Sequence, residues 1–440
     1  MESSQFMLTS IIAIGRKTAV KQIAVAILSL NLNQVSSFKM KMPYAVSRVL
    51  IILLILFLFF AEVFRVYLVM PFPGSQVTET VDIAYWLDRH IIWIRILILL
   101  LGIIALGRIL KKGRMWEKVS LSLALFSYVP LFTVLNFRLA ADRKFLQPTT
   151  KSFIAASESI DKSKLVIGVA INGQAKAYPI QLIGYHHQVM DTIGGEPVII
   201  TYCTVCRTGR VYSSRLNGRD EAFRLVGMDH FNAVFEDQTT KSWWQQASGQ
   251  AIVGPLKGSM LKEIPSSQLT INSWIRKYPN SVVMEPDPLY DERYFGLEDY
   301  DRGTMQSSLV KRDSRSWQPK SWVVGVKNEF SSMAYDWNEL VKKRVIQDSL
   351  EGSPILITME TDTTSFHVYE RKINGSVLSF NACIGDNYLT DQNTGSTWNM
   401  DGLCIDGPLK GQQLTTVQAY NEFWHAWEGF EAPTKKHISK

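Results

Sequence analysis

Two cysteines separated by two residues, Cys203 and Cys206, are the side chains of this sequence with the most evident chemistry. This spacing brings two sulfur atoms together on one turn, where they can form a reversible disulfide or bind one metal ion as thiolates. Arg207 and Arg210 follow directly, and their positive charge favours the thiolate over the thiol. In an oxidising compartment the same pair can also form a structural disulfide. The motif alone does not distinguish among a metal site, a redox dithiol and a structural disulfide.

Nearby histidines favour the metal site among these three. His186 and His187 follow a predicted helix, and His230 follows a predicted strand together with Met228. Two thiolates with one or two imidazoles are a normal ligand set for zinc, and an added thioether suits copper. We therefore predict a zinc or copper site. Its expected ligands are Cys203, Cys206, His186 and His230, with His187 and Met228 as substitutes.

The region around these residues occurs twice in the chain. Val166–Val169 matches Val323–Val326, and the same spacing matches Ala177-Tyr178 with Ala334-Tyr335. Repeats of this length are whole domains and not solenoid units. The matched residues are mostly apolar, glycine or proline, whereas the chemical groups differ. The second copy has Lys343, Arg344, Glu360, Thr363, Thr364, His367, Gly385 and Asn387 in place of His186, His187, Cys203, Cys206, Arg207, Arg210, Met228 and His230, respectively. We therefore place the working site in the first copy and assign a structural role to the second.

The first copy also resembles a known family of bacterial proteins. The resemblance rests on His186, Asp191, Gly195, Pro197, Thr201-Tyr202-Cys203-x-x-Cys206, Leu225–Asp237, Ser242-Trp243-Trp244-x-Gln246 and Gly254-Pro255-Leu256-x-Gly258. This run is similar to the bacterial domain-of-unknown-function family 3179 and covers about Val166 to Pro286. The resemblance implies Cys203, Cys206 and His186 as signature residues, with Arg207, Asp229 and Asn232 nearby, but it implies no reaction. Arg207, Arg210, Asp229 and Asn232 are the expected cofactor-binding residues.

Short apolar runs separated by turn signals predict that the outer region is rich in β-strands. The predicted strands are Leu165–Ile171, Ala175–Tyr178, Pro197–Tyr202, Gly209–Ser213, Ala222–Val226 and Ala233–Glu236, with turns at Asn172-Gly173, Gly194-Gly195 and Asn217-Gly218. The predicted helices are Ile180–Met190, Gln268–Lys277 and Thr416–Trp427. Trp243 and Trp244 are expected in the core, Asp191 in a turn or cap, and Cys383 and Cys404 as a possible local disulfide. Because the second copy has few apolar strands, we expect the two copies to pack together.

Three long apolar segments near the N-terminus predict a membrane anchor. Val49–Met70, Ile91–Leu110 and Val119–Leu139 are each about the ~20 residues needed to cross a bilayer. Basic residues precede the first segment and surround the second connection: Lys39, Lys41, Arg48, Arg108, Lys111, Lys112, Arg114 and Lys118. By the positive-inside rule these parts face the cytoplasm, so the chain after Leu139 lies outside. Ile23–Leu30 is too short to span, and Met40 or Met42 is an alternative start. The formal charge of +7 largely reflects this topology signal and does not indicate nucleic-acid binding.

The sequence predicts three transmembrane helices followed by a β-rich α+β extracytoplasmic region of two tandem, pseudo-symmetric repeats, in the inner (plasma) membrane and facing the periplasm or cell exterior. The predicted parts are a cytoplasmic segment 1–48, an anchor 49–139, a connector 140–163, a first repeat 164–285, a linker 286–320 and a degenerate second repeat 321–430. No serine hydrolase motif, dinucleotide fingerprint or glycosidase acid pair is present, so an enzyme is possible but not shown and a nucleotide cofactor is not expected. Metal binding is the first expected function. The alternatives are an envelope dithiol redox protein and a non-catalytic binding module for an unidentified envelope protein or small molecule.

Overall fold

The computed structural model of the chain describes residues 43–158, 161–383, 385–431 and 433–438. The predictions for Ile23–Leu30 and for the start of the chain lie outside these residues. The chain divides into two compact units. One takes in the described part of Met1–Leu58 together with Ile94–Phe126, and the other takes in Phe59–Trp93 and the described residues from Ser127 onward.

Three helices are long and apolar enough to cross a membrane: α1 (Tyr44–Val69), α2 (Val81–Lys112) and α3 (Met115–Thr133), the last continued by a π-helical turn at Val134–Arg138. The predicted spans overlap all three. Pro130 lies inside α3 and removes one backbone donor, and the π-helical turn begins four residues later. In the first unit, Glu117 of α3 is buried and accepts hydrogen bonds from Tyr44 and from Arg48, whose Nε lies 2.8 Å away.

After the short helix α4 (Ala141–Lys144), the chain forms a first series of strands. They are β1 (Phe153–Ala155), β2 (Leu165–Ile171), β3 (Gln174–Pro179), β4 (Gln188–Ile193), β5 (Glu196–Cys203), β6 (Thr208–Ser213), β7 (Arg215–Leu216), β8 (Arg219–Asp220), β9 (Phe223–Asp229), β10 (Asn232–Asp237), β11 (Trp243–Gln245), β12 (Ala251–Val253), β13 (Ser267–Thr270) and β14 (Val282–Met284). Helix α5 (Ile180–His186) follows β3, and α6 (Ile271–Lys277) follows β13. The sheet orders are β1-β14-β3-β2-β13, β4-β5-β6, β7-β8 and β12-β11-β10-β9.

A second series follows α7 (Asp291–Phe295). Its strands are β15 (Trp322–Lys327), β16 (Ser332–Asp336), β17 (Val345–Leu350), β18 (Ser353–Met359), β19 (Phe366–Glu370), β20 (Lys372–Ile373), β21 (Ser376–Val377), β22 (Phe380–Ala382), β23 (Tyr388–Asp391), β24 (Thr397–Asn399), β25 (Cys404–Asp406), β26 (Ala419–Phe423) and β27 (Thr434–Lys436). Helix α8 (Trp337–Lys343) follows β16, and α9 (Trp424–Phe430) follows β26. The sheet orders are β26-β15-β16-β27, β17-β18-β19, β20-β21 and β22-β23-β24-β25.

The six predicted strands of the first copy are all present, but the three predicted helices are shorter than expected. The last three residues of the predicted helix Ile180–Met190 belong to β4, because His187 adopts a left-handed conformation (φ 61°) that ends α5. The segment Gln268–Lys277 begins within β13, and Thr416–Trp427 contains β26. Each turns into a helix only at Ile271 or Trp424. Pairing with a neighbouring strand outweighs local helix preference at these three places.

Buried tryptophans pack in the core of the sheet β12-β11-β10-β9. Trp243 and Trp244 are buried as predicted, and their indole N–H groups donate to Glu236 and Asp237 at 3.0 Å. Asp191 lies within strand β4, so its predicted turn or cap role is wrong. Its carboxylate accepts hydrogen bonds from the buried Tyr178 (2.6 Å) and from Lys176 (2.9 Å).

All four cysteines lie in the described residues, and all four are free. Cys404 belongs to β25, and Cys383 directly follows β22. These strands form opposite edges of one sheet and are separated by β23 and β24. Three strand spacings amount to roughly 14 Å, which is too far for a disulfide. The local disulfide suggested by the sequence is therefore incompatible with this sheet.

Candidate functional site

The two cysteines of the motif occupy the tip of a β-hairpin. Cys203 ends β5 and pairs with Thr208 at the start of β6, and Thr204–Arg207 form the connecting loop. Arg207 closes this loop in a left-handed conformation, with a φ of 58°. Both sulfur atoms are fully buried. The hairpin thus holds the two thiols side by side, away from solvent.

A second hairpin tip, between β9 and β10, faces the sulfur atoms. The carbonyl oxygen of Phe231 lies 3.2 Å from Sγ of Cys206 and 3.5 Å from Sγ of Cys203. His230 and Phe231 both have positive φ values, 48° and 64°, which is a strained conformation for bulky residues. The Phe231 N–H donates to Oε1 of Gln76 (3.2 Å), a residue in the loop between α1 and α2. Strain of this kind persists where the surrounding structure imposes it, and it is concentrated at functional sites.

The two thiols differ in acidity. Burial opposes ionisation of Cys203, but the thiol of Cys206 and backbone groups at Cys206, Ala233 and Val205 donate to its sulfur and together lower its pKa. Burial raises the pKa of Cys206 well above its ordinary value, and the neighbouring Cys203 raises it further. The pair therefore favours one thiolate, on Cys203, stabilised by one thiol, on Cys206.

A buried lysine holds the cysteine loop in place. Lys320 Nζ donates to the carbonyl oxygens of Val205 (2.5 Å) and Leu309 (2.8 Å). Burial lowers the pKa of this amine, and the two cysteines oppose that shift. Lys320 thus brings a positive charge next to a dithiol that can carry a negative one. Sequence analysis did not single it out because it lies more than a hundred residues from the motif, just before β15.

The arginines that flank the cysteines point away from the sulfurs and contact the second series of strands. Arg207 donates from Nε to Asn421 (2.6 Å), and its guanidinium lies 3.8 Å from the ring centroid of Trp322. Arg210 is also fully buried, with Nη2 2.6 Å from Oε1 of Glu422. The backbone N–H of Phe423 in β26 donates to the carbonyl oxygen of Cys206 (3.0 Å). Both arginines therefore anchor β26 against the cysteine hairpin, and their contact with a cofactor remains a prediction.

The predicted histidine ligands lie apart from the sulfurs. Both ring nitrogens of His186 are occupied, Nδ1 by the carbonyl of Leu146 (2.5 Å) and Nε2 by the hydroxyl of Tyr294 (2.6 Å). His230 is partly exposed at its hairpin tip, with Nδ1 3.1 Å from Asp229. Across the described residues, no group of three or more His, Cys, Asp or Glu side chains has a geometry that could hold a metal ion. The metal site remains a prediction.

Asn232 and Asp229, two of the predicted cofactor-binding residues, lie at different distances from the cysteines. Asn232 is fully buried next to the pair. It donates from Nδ2 to Gln246 (3.0 Å) and accepts from the Ala247 N–H (2.9 Å), and its side chain also opposes the rise in the pKa of Cys206. Asp229 lies further out, 3.5 Å from the amide of Gln245. Asn232 is therefore part of the dithiol environment, whereas Asp229 belongs to the hairpin rim.

His187 and Met228 line a cavity of about 360 Å³ beside the cysteine loop. Thr204 and Val205, the two residues between the cysteines, form part of its wall. The His187 ring is buried and stacks on Phe145, with ring centroids 4.4 Å apart. Burial lowers the pKa of His187 to about 4, against a smaller opposing effect from the backbone of Gly184. His187 is therefore neutral near pH 7.

The comparisons with known proteins agree with the resemblance noted in the sequence. The profile of a family described as "Protein of unknown function (DUF3179)" matches residues 144–434. The chain belongs to the DUF3179 family. The match covers both series of strands, so it extends well beyond the region from Val166 to Pro286 on which the resemblance rested. No curated protein and no solved structure matches the chain.

Proposed function

We propose that this DUF3179 protein is a membrane-anchored dithiol–disulfide redox protein of the cell envelope, with Cys203 and Cys206 as its redox pair. The observation that carries the proposal is the position of two free, buried thiols at one hairpin tip, with both sulfur atoms within 3.5 Å of the same carbonyl oxygen. The pKa of Cys203 is lowered and that of Cys206 is raised, so we assign Cys203 as the attacking thiolate and Cys206 as the resolving thiol. An attacking thiolate beside a protonated resolving thiol favours disulfide exchange. Because both sulfurs are buried, the hairpin tips must open before a partner disulfide can reach them.

The proposed reaction is an exchange with a disulfide of an envelope protein. The Cys203 thiolate attacks one sulfur of that disulfide, and the other partner sulfur leaves as a thiolate. Cys206 then loses its proton and attacks Sγ of Cys203, which forms the Cys203–Cys206 disulfide and releases the second partner thiolate. Two electrons pass from the dithiol to the partner, and both partner sulfurs end as thiols after protonation. The reverse sequence oxidises a partner dithiol.

Geometry favours this reaction over the zinc or copper site, which was the first expectation from the sequence. A tetrahedral zinc site takes four protein ligands, or three with an open position. Here the two sulfurs face a backbone carbonyl oxygen, and His186 is hydrogen-bonded at both nitrogens. Metal binding would require a rearrangement that brings further ligands to the pair.

We also infer that the two series of strands are tandem copies of one domain and that both lie outside the cell. The order of strands, helices and sheet neighbours from β2 to β14 recurs from β15 to β27, which supports the first inference. A Cβ atom on Gly168 would lie 2.3 Å from Trp274, and one on Gly325 would lie 2.3 Å from Trp427, so the two helices cross their sheets alike. The basic residues flanking the apolar spans support the second inference.

Trapping of a mixed disulfide tests the redox proposal. In Cys206→Ser the attacking thiolate remains but cannot be resolved, so we expect disulfide-linked adducts with envelope proteins on non-reducing gels. Cys203→Ser should give far fewer adducts, because the remaining thiol has the raised pKa. Cys404→Ser, which removes another buried cysteine, serves as the control and should give none. Equal trapping by the two motif variants, or none, would contradict the assigned roles.

An engineered cysteine tests the orientation. Phe330 is strongly exposed in the loop between β15 and β16, so Phe330→Cys should react readily. A membrane-impermeant maleimide should label this variant in intact spheroplasts. Labelling that occurs only after lysis would place both series of strands in the cytoplasm.

A further inference from the structure

The cavity beside the cysteine loop is built partly from the chain segments that leave the apolar helices. Met70 and Pro71 follow the end of α1 at Val69, and Ala141, Lys144 and Phe145 follow the end of the third apolar segment at Arg138. The rest of the wall comes from the first series of strands and from residues 292–310. The cavity therefore lies where the chain passes from apolar helix to β-rich region.

Its lining is mainly apolar. Leu225, Met228, Leu297, Met305 and Leu309 contribute aliphatic or thioether side chains. Its volume of about 360 Å³ is within the range of roughly 300–1,000 Å³ that is usual for small-molecule sites. Such a surface is favourably covered by hydrocarbon, because that removes apolar surface from water.

The polar groups of the cavity are few and distinct. Lys144 and Arg293 are exposed cations, and Glu292 is an exposed anion. Nδ1 of the buried His187 has no well-formed hydrogen bond within the described residues. A buried, neutral ring whose nitrogen makes only a weak contact with the Gly184 backbone can exchange that contact for one hydrogen bond to an occupant. The combination suits an amphiphile with an apolar body and a small polar group.

We propose that this cavity binds the apolar part of a membrane-borne amphiphile, which enters from the bilayer beside α1 and the third apolar segment. An acyl lipid and an isoprenoid quinone both have an apolar body and a small polar group, so either could be the occupant. Because Thr204 and Val205 form part of the wall, the occupant contacts the loop that carries the two cysteines. The proposal does not depend on redox activity of the dithiol.

Photo-crosslinking in nanodiscs tests the proposal with the full chain. One arm contains phosphatidylglycerol with a diazirine on its acyl chain, and the other contains a diazirine-bearing isoprenoid quinone in unlabelled lipid. Peptide mapping should find label on residues 225–228 or 305–310 in at least one arm, and the arm that labels identifies the source. Label confined to the membrane helices in both arms would overturn the proposal.

A matched pair of substitutions distinguishes labelling inside the cavity from labelling by general contact with lipid. Leu297→Trp fills the cavity and should lower labelling of these peptides about tenfold, which corresponds to about 1.4 kcal/mol of binding free energy. Leu289→Trp is the control, because Leu289 is strongly exposed and lies outside the cavity wall. If Leu297→Trp does not fold, Met305→Trp tests the same point. Undiminished labelling in a folded cavity-filling variant would show that the label comes from elsewhere.

Discussion

Arg210 carries a charge in a fully buried position, and its partner Glu422 is equally buried. Their closest nitrogen and oxygen atoms are 2.6 Å apart, and the guanidinium also lies 3.7 Å from the ring centroid of Tyr420. Removal of one member of such a pair leaves an uncompensated buried charge, which costs about 3–5 kcal/mol. These two side chains therefore connect the cysteine hairpin to β26.

Arg210→Met should lower the free energy of unfolding by about 3–5 kcal/mol, measured by denaturant unfolding in detergent. The control is Arg215→Met, since Arg215 and its partner Asp220 are both exposed and such pairs contribute about 0–1 kcal/mol. The double variant Arg210→Met/Glu422→Leu should recover part of the loss because it removes both charges. Equal effects of the two single variants would contradict the anchoring role of Arg210.

His187 makes stability depend on pH. Its pKa is about 4 when folded, against an ordinary value of 6.5, so the unfolded chain binds the proton more tightly between these two values. The contribution of this ring to stability is complete above pH 6.5 and is lost as the pH falls towards 4. At most it amounts to roughly 3 kcal/mol. The thermal midpoint of the wild type should therefore fall between pH 7 and 4.5, and His187→Phe should show a smaller fall. An equal fall in both proteins would contradict a buried, neutral His187.

The sequence predicted the positions of some candidate site residues but not of others. The Cys-x-x-Cys spacing is local, so it predicted a pair of adjacent sulfurs without knowledge of the fold. The ligand set depended on long-range packing, which placed His186 against Tyr294 and His187 in a cavity. Lys320 was missed for the same reason, because only tertiary structure brings it to the carbonyl of Val205.

At the scale of elements, strand β9 comes into close contact with the end of α1. A Cβ atom built on Gly227 would lie 2.3 Å from the carbonyl oxygen of Val69, so only glycine fits there without a backbone shift. The same strand leads into the hairpin tip that carries His230 and Phe231. This close contact between β9 and α1 therefore links the end of an apolar helix to the turn that faces the dithiol.

Gly227→Ala should lower stability by about 1–3 kcal/mol, the usual cost of forcing atoms into a packed contact. It should also raise the rate at which Cys203 and Cys206 react with a small thiol reagent, because β9 must move. Gly429→Ala, in helix α9 with open space around the added methyl group, is the control and should be neutral or slightly stabilising. Unchanged stability and thiol reactivity in Gly227→Ala would contradict this coupling.

The strands were easier to predict than the helices for a physical reason. Strands such as Leu165–Ile171 are short apolar runs bounded by turn residues, and Asn172-Gly173 supplies the positive φ values that a tight hairpin needs. The helices α5, α6 and α9 have only seven residues each, and α6 and α9 continue directly from a strand. Thr270 caps α6 by accepting from the Ser273 N–H, but no side-chain cap marks the start of α9, where pairing with β15 decides where the strand ends.

At the scale of the whole molecule, the second series of strands completes the environment of the first. It supplies Asn421 and Glu422 to the two arginines, and the N–H of Phe423 to Cys206. Lys320, just before this series, holds the cysteine loop. The first series in turn supplies a partner to the second, because Arg276 of α6 pairs with the buried Glu360, which follows β18.

Truncation after Pro286 should therefore yield an insoluble or partly unfolded product, since it leaves Arg207 and Arg210 buried without partners. The measurement is the fraction of the truncated chain in the soluble or detergent-extracted pool, together with cooperativity of thermal unfolding. The full chain with the same tag is the control. A soluble fragment of residues 145–286 with cooperative unfolding and unchanged thiol reactivity would show that the second series is dispensable.

The reduction potential of the Cys203–Cys206 pair tests the central claim most directly. The full chain carrying Cys383→Ser and Cys404→Ser, which leaves only this pair, is equilibrated in nanodiscs against defined thiol–disulfide buffers. Alkylation and mass spectrometry then count reduced sulfurs, and bound metal is measured on the same samples. We expect a two-electron transition without stoichiometric metal, at a potential between about −120 and −270 mV, where disulfide oxidoreductases lie. A disulfide that stays intact below about −300 mV, as structural disulfides do, or a metal ion bound to both thiolates, would contradict the redox assignment.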